Sequence, residues 1–567
     1  MVTRFFRGFR EKWLLGIGMD KMINLDRRSI HLQKVFSLSK EWGAPHQPPS
    51  VTMERTIKNS IWNVGALFVS LVLTFFTTPL ILAILGTDNY GLFMLLIAII
   101  APLGLANLSL GQATIKYVAE AYGRSDMAEA CTYVRTTLLF NLGVGLLGSL
   151  AIVLLAPALV TGVFNITAAN QALAEICLYW IAAGWSVNQI ATTFNAVPAA
   201  LQRYDLVSIG TILFTLVNTG LGVAVLLMGG NLLAFVEAYF ATQVFGAIGW
   251  FWLAHRLLPS ISLFPRWNGL AFRRSFRFGF WQTVSQVGGL VANHTDKYVL
   301  GILMPMNAMG LYNIALQVEQ KVYIVIYKMA EVLFPTFSHM QAQDNKRRES
   351  LAVMRSSWLL STLATTILVP LIIWSRDFLV LWVGPQVAEG SYRVLQIITL
   401  SGLLGSGTTA GIFYLMGIGR TNWTALIAFA SGVVVLVGSL SLIPRVGLEG
   451  AGWGNVLAML VRVIVVSAMW RTFFKTEIRW TAYMSAVYGP IVIGLTLAIG
   501  FFMLKPALNL TLGWIGLIIG GVISASILGL AIIVVDRVLP GGGIRHNDVM
   551  HIAKRVIQFR GRWRPAH

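Results

Sequence analysis

The stretch TDKYVLGILMPMNAMGLYNIA, Thr295 to Ala315, joins two apolar segments and contains the charged pair Asp296–Lys297. A charged side chain near the centre of a bilayer costs roughly 2.5–3.5 kcal/mol on insertion scales. Such residues therefore face another helix or a water-filled cavity rather than lipid. We interpret the pair as lining a cavity inside a bundle of transmembrane helices.

The composition of the whole chain is that of an integral membrane protein. Of its 567 residues, 56% are hydrophobic and only 12% are charged. Long apolar runs with few charges are typical of transmembrane helices. The net charge of +20 would suggest nucleic acid in a soluble protein. In a membrane protein it indicates basic cytoplasmic loops facing anionic lipid, so we expect no nucleic-acid partner.

Fourteen apolar segments are long enough to cross a bilayer, which predicts an all-α integral membrane protein. Their predicted bounds are 59–85, 90–113, 132–157, 171–195, 206–228, 231–254, 278–303, 308–335, 353–375, 392–416, 422–443, 448–470, 480–504 and 511–536. Basic residues concentrate in every second loop. This positive-inside pattern predicts that both termini are cytoplasmic.

The predicted organisation has two lobes flanked by tails. Its parts are a basic cytoplasmic N-terminal tail (1–55), an N-lobe of helices 1–6 (56–256), a cytoplasmic inter-lobe linker (257–277), a C-lobe of helices 7–12 (278–470), helices 13–14 (471–537) and a basic cytoplasmic C-terminal tail (538–567). Translation could start at Met1 or nearer Met53, and the sequence favours neither.

An internal repeat relates the two lobes. At an offset of about 219 residues, Trp62–Asn63 falls on Trp281–Gln282, and Gly91 falls on Gly310. An offset of six helices returns the chain to the same side of the membrane. We therefore predict parallel repeats about an axis along the membrane normal, with a central cavity between them and two further helices.

Polar side chains form stripes at helical spacing on several of the predicted spans. The candidates for substrate contact are Lys297, Lys321, Lys328, Arg462, Asn293, Gln282, Gln320 and Asn63. At a rise of about 1.5 Å per residue, the three lysines fall in the outer third, near the midplane and toward the cytoplasm. A ladder of cations across the membrane suits an anionic substrate that changes sides.

Structural roles for the same charges stay open. Asp296 with Lys297, or Lys328 with Glu331 one turn later, could be ion pairs that fix helix packing. Lys328 and Glu331 could also extend to the membrane interface. Glu319 lies off the polar stripe, so we expect it to make an interhelical hydrogen bond. The amide and hydroxyl stripes could join helices rather than line a cavity.

Catalytic motifs are absent from the sequence. It contains no HExxH, GxSxG, Walker A or CxxC pattern. The histidines are scattered, and His294 beside Asp296 is weak evidence for a metal site. We therefore expect no enzymatic activity, no cofactor and no metal.

Four sequence motifs point to a known group of membrane proteins. They are NSIWN (Asn59 to Asn63), LGTDNYGLF (Leu85 to Phe93), TIKYVAEAYGR (Thr114 to Arg124) and TDKYVLGILMPMNAMGLYNIA (Thr295 to Ala315). Together they resemble the multidrug/oligosaccharidyl-lipid/polysaccharide exporter superfamily, and within it the polysaccharide transporter branch. The resemblance implies a flippase that moves undecaprenyl-pyrophosphate-linked glycans across the bacterial inner (cytoplasmic) membrane by alternating access.

The resemblance also implies roles for individual residues. Lys297, Lys321, Lys328 and Arg462 would contact pyrophosphate or acidic sugars, and Asp296 would couple transport to H⁺ or Na⁺. From its position in span 6 alone, Glu237 is a weaker candidate for binding such an ion. The expected partners are a lipid-linked glycan, membrane lipids and polysaccharide polymerase or assembly proteins.

Two alternative functions remain open. A cation-coupled small-molecule or drug exporter of the same superfamily would have a mainly acidic cavity and cationic substrates. A membrane glycan polymerase or ligase would carry catalytic residues on a sizeable external loop. The longest predicted external loop, SRDFLVLWVGPQVAEGSYR, is short, which disfavours the enzyme.

Overall fold

The computed structural model describes residues 53–259, 264–341, 345–474, 477–508 and 513–538. Over these ranges the chain forms helices and contains no β-strand. Contacts divide it into two units, Met1–Thr56 and Ile57–His567, and the sites described below lie in the second. The predicted N-terminal and C-terminal tails fall almost entirely outside the described residues.

Fifteen α-helices follow one another over the described ranges. They are α1 (Met53–Ile100), α2 (Leu110–Gly123), α3 (Met127–Ala158), α4 (Ala168–Ala200), α5 (Tyr204–Leu227), α6 (Leu232–Leu257), α7 (Gly269–Leu303), α8 (Met306–Glu331), α9 (Leu333–Gln341), α10 (Lys346–Val383), α11 (Pro385–Gly417), α12 (Thr421–Val446), α13 (Glu449–Phe473), α14 (Trp480–Leu508) and α15 (Gly513–Val538). A short 3₁₀-helix, Ala101–Asn107, separates α1 from α2.

Ten helical segments among the described residues are long and apolar enough to cross a membrane. The longest, Gly65–Gly123, has 59 residues, and it is interrupted at Gly86, whose φ of 75° and ψ of 169° are not helical. The helices α4, α7 and α8 are not among the ten. Polar side chains lower the hydropathy of α4 and α8, and several side chains of α7 lie outside the described part of the structure. The chain is thus an all-α, multi-pass membrane protein, and the exact number of crossings stays a prediction.

Capping side chains explain where several helices begin. Asp126, Asn231, Asn268 and Asn345 each accept a hydrogen bond from the backbone N–H three residues later. Such N-caps satisfy one of the backbone donors left free in the first helical turn. Asn268 starts α7 before the predicted span at 278, so this helix extends into the segment predicted as the inter-lobe linker.

The apolar core has two main clusters. One surrounds Tyr312, where α1, α4, α8 and α11 meet. The other surrounds Trp470, whose indole stacks on the Tyr483 ring with centroids 3.8 Å apart. The last two helices, α14 and α15, pack against α10. The helices α8 and α13, which carry Lys321 and Arg462, both contribute residues to these clusters.

Candidate functional site

Asp296 is held inside a contact between α7, α8 and α13. Its side chain is 2% exposed, and the Tyr312 hydroxyl donates a hydrogen bond to Oδ2. Asn455 Nδ2 donates to the same oxygen at 3.2 Å, and the Lys297 backbone N–H donates to Oδ1 at 2.8 Å. Buried carboxylates need such donors. Asp296 therefore does not line a cavity in this conformation, because Tyr312 and Asn455 cover it.

Arg462 on α13 is a half-buried cation without a carboxylate partner among the described residues. Its Nε atom is inaccessible and has no hydrogen-bond partner there. The groups that act on its charge are the hydroxyls of Tyr323 and Tyr327 on α8 and Tyr488 on α14. A guanidinium near neutral hydroxyls rather than carboxylates keeps its charge available to an anion.

The three predicted lysines differ in their surroundings. Lys297 is half-buried beside the Asp296 carboxylate, and Lys321 is half-buried and makes no ion pair with another described residue. Lys328 is exposed, and its Nζ lies 2.7 Å from Glu331 Oε2. The Lys328–Glu331 pair matches the structural alternative drawn from the sequence.

The remaining predicted site residues are scattered. Gln320 and Glu237 are both exposed. The side chains of Asn63, Gln282 and Asn293 lie outside the described part of the structure, so their assignment stays a prediction.

Glu319 makes no hydrogen bond to another described residue, although the sequence predicts an interhelical one. Its carboxyl group is 8% exposed and packs against Gly402 of α11. A Cβ at Gly402 would overlap Glu319 Oε1. Because Gly402 has no side chain, it leaves room for the Glu319 carboxyl but donates no side-chain hydrogen bond to it.

A cavity of about 440 Å³ lies among helices of the predicted N-lobe and α7. Six amide side chains contribute to its wall, from Asn107, Gln112, Asn141, Asn188, Asn195 and Gln286. None of the described residues that line it is charged, and none of the predicted cations is among them. The sequence reasoning missed this site. The available signal was the spacing of Asn188, Thr192 and Asn195, which places all three on one face of α4.

Comparison with known proteins gives the family. The sequence matches the family described as "Polysaccharide biosynthesis protein" over residues 56–341, just over half of the chain. A protein of Shigella flexneri described as "Putative O-antigen transporter" is 19% identical over 414 residues, covering 72% of this chain and 95% of the relative.

Solved structures show that the fold is shared. The lipid II flippase MurJ, in an inward closed conformation, aligns with a TM-score of 0.61 at 12% identity, over 83% of this chain and 98% of that one. An inward-facing multidrug resistance MATE family transporter of the MOP superfamily aligns with a TM-score of 0.56 at 15% identity, over 74% and 96%. The fold is thus shared with these transporters, and the family match over more than half of its length shows that the chain belongs to the polysaccharide biosynthesis protein family.

Proposed function

We propose that the protein is a flippase for a lipid-linked glycan in cell-surface polysaccharide biosynthesis. It moves an undecaprenyl-pyrophosphate-linked oligosaccharide or polysaccharide repeat unit across the bacterial inner (cytoplasmic) membrane by alternating access, with both termini cytoplasmic. The family match and the description of the Shigella flexneri relative as an O-antigen transporter support this proposal. The expected partners are membrane lipids and the proteins that polymerise or assemble the polysaccharide.

Alternating access in this proposal uses two six-helix lobes and fourteen spans. The bounds of α4 and α11 support the repeat, because both ends of these helices lie 217 residues apart. The first residues of α5 and α12 are also 217 residues apart. If Gly65–Gly123 counts as two crossings and α4, α7 and α8 are added to the ten candidates, the total is fourteen.

Arg462 is the observation that carries the choice of substrate, and the lining of the cavity is consistent with it. An exporter of cationic drugs needs acidic side chains where its substrate sits, and none of the described residues that line this cavity is acidic. Arg462 instead brings a half-buried guanidinium into the helix bundle, where it has no carboxylate partner among the described residues. Charge-assisted hydrogen bonds to phosphate are strong in a low-dielectric interior. Lys297, Lys321 and Arg462 are the proposed contacts for the pyrophosphate, and Lys328, whose charge Glu331 already balances, is a weaker fourth contact.

Asp296 is the proposed site of ion coupling. A proton or Na⁺ at its carboxylate would change the hydrogen bonds to Tyr312 and Asn455, and so the packing of three helices. An ion can bias two conformations only if it binds them with different affinity. Glu237, which is exposed on α6, is the second candidate.

The proposal is tested with the full chain in liposomes that contain a fluorescent undecaprenyl-pyrophosphate oligosaccharide. Appearance of the lipid in the opposite leaflet is followed by chemical quenching of the accessible fluorophore. We expect faster movement than in empty liposomes, and a loss of roughly tenfold or more in Arg462→Met, which removes the charge-assisted contact.

Arg376→Met is the matched control, because Arg376 is exposed and paired with Glu389. Movement no faster than in empty liposomes would contradict the proposal. So would transport of a cationic dye in place of the lipid.

A further inference from the structure

The cavity wall contains amide groups whose hydrogen-bonding capacity is unused. Asn107, Gln112, Asn188 and Asn195 make no hydrogen bond with another described residue. Asn141 is 2% exposed; its Nδ2 donates to Thr193 Oγ1 at 2.8 Å, but its Oδ1 has no partner. These amide donors and acceptors thus line one partly open cavity.

Two of these groups, Asn107 Oδ1 and Asn141 Oδ1, are buried without a hydrogen bond to another described residue, whereas Gln112, Asn188 and Asn195 are partly or fully exposed. A buried donor or acceptor without a hydrogen bond costs roughly 1–3 kcal/mol, and folded proteins contain few of them. Water could satisfy some groups in a polar cavity. Amides that point at a common space are also the arrangement with which proteins fix the orientation of a polar ligand.

Two aromatic rings also line the cavity, and each packs directly against a glycine of the neighbouring helix. A Cβ at Gly210 would lie 2.5 Å from the Trp250 ring, and a Cβ at Gly246 would lie 2.7 Å from the Phe214 ring. Each ring therefore rests on the backbone of the neighbouring helix, with α5 packed on α6. The cavity presents flat apolar surfaces beside its amides.

This combination matches the chemistry of an uncharged sugar. An amide places one donor and one acceptor side by side, and neighbouring sugar hydroxyls can pair with both. The C–H faces of a sugar ring are apolar and can pack on Trp250 or Phe214. The volume of about 440 Å³ lies within the range of roughly 300–1,000 Å³ typical of ligand pockets.

We propose that this cavity binds an uncharged, hydroxyl-rich sugar unit of the transported head group, apart from the cations that contact its pyrophosphate. A phosphate or uronic acid would find no basic side chain among the described lining residues to offset the cost of losing its hydration. The inference rests on the proposed function, since it names what part of the same substrate occupies the cavity.

The first test measures binding without transport. The full chain in lipid nanodiscs is labelled and applied to a glycan array that contains neutral and acidic oligosaccharides. We expect neutral glycans to bind, with binding weakened roughly tenfold by Asn188→Leu or Asn195→Leu, since each removes hydrogen bonds. The control is Asn422→Leu, which changes an exposed asparagine outside the cavity lining. Binding of acidic glycans alone, binding that is equal in all variants, or no binding at all would overturn the inference.

The second test separates the inference from the function on which it rests. Liposomes carry either the glycan-linked lipid or bare undecaprenyl pyrophosphate. We expect Asn188→Leu to slow the glycan-linked lipid roughly tenfold and to leave the bare lipid unchanged, which also shows that the variant is folded. If wild-type protein moves neither lipid, the proposed function fails. If wild-type and variant move the glycan-linked lipid equally, only the sugar site is excluded.

Discussion

The backbones of Gly91 in α1 and Gly310 in α8 are in direct contact. A Cβ at Gly91 would overlap the Met306 carbonyl oxygen and lie 2.7 Å from the Gly310 nitrogen. A Cβ at Gly310 would overlap the Thr87 carbonyl oxygen. These two glycines are equivalent in the predicted repeat. At this one crossing, a glycine on each helix allows the two backbones to approach closely.

Gly91→Ala is expected to destabilise the protein, because the added methyl meets backbone that cannot move independently. Overpacking of this kind costs roughly 1–3 kcal/mol. The midpoint of thermal unfolding in detergent should fall, and Gly65→Ala is the matched control because nothing lies within 4 Å of its Cβ position. An unchanged midpoint in Gly91→Ala would mean that the crossing is looser than described.

Tyr312→Phe is expected to lower stability by removing a donor from the buried Asp296 carboxylate. Leaving a buried polar group short of a hydrogen bond costs roughly 1–3 kcal/mol. Asp296→Asn in the same background should lower the cost of the missing hydroxyl, since a neutral amide needs fewer donors than a carboxylate. The four thermal midpoints of this double-mutant cycle measure the coupling. Additive effects would show that the two side chains do not interact.

The positions of the helices could largely be predicted from the sequence. The predicted spans 171–195 and 206–228 fall within or close to α4 and α5, because apolar runs locate the membrane-embedded part of a helix. Hydropathy does not report where a helix leaves the membrane. The helices α7 and α10 begin in segments rich in basic residues, at Gly269 and Lys346, whereas the predicted spans begin at 278 and 353.

The candidate site was less accessible to sequence reasoning. The polar stripe correctly predicts that Asp296 faces other helices rather than lipid. The side chains that bury its carboxylate, however, belong to Tyr312, 16 residues away, and Asn455, 159 residues away. Such long-range contacts leave no trace in local spacing. The cavity was missed for another reason. Uncharged amides such as Asn188 carry less weight than lysines in an argument built on the cost of burying charge.

Glu319→Met is expected to stabilise the protein. The Glu319 carboxyl is 8% exposed and has no hydrogen bond to another described residue, whereas methionine fills a similar volume without a polar group. The free energy of unfolding should rise by about 1–3 kcal/mol, seen as a higher thermal midpoint. Glu331→Met is the control, since this glutamate is exposed and its pair with Lys328 contributes little. A lower midpoint in Glu319→Met would indicate that the carboxyl is already satisfied, for example by a bound ion.

Lys321 and Lys328 are expected to differ in their effect on transport, although both lie on α8. Lys321 is half-buried with no ion pair among the described residues, so its ammonium is available to an anionic substrate. The charge of Lys328 is already balanced by Glu331, and exposed pairs of this kind contribute only about 0–1 kcal/mol. In the liposome assay, Lys321→Met should slow flipping roughly tenfold, and Lys328→Met should change it less than about threefold. Equal losses in the two variants would show that the Lys328–Glu331 pair opens to bind substrate, and that a ladder of cations rather than one half-buried lysine carries the phosphate across.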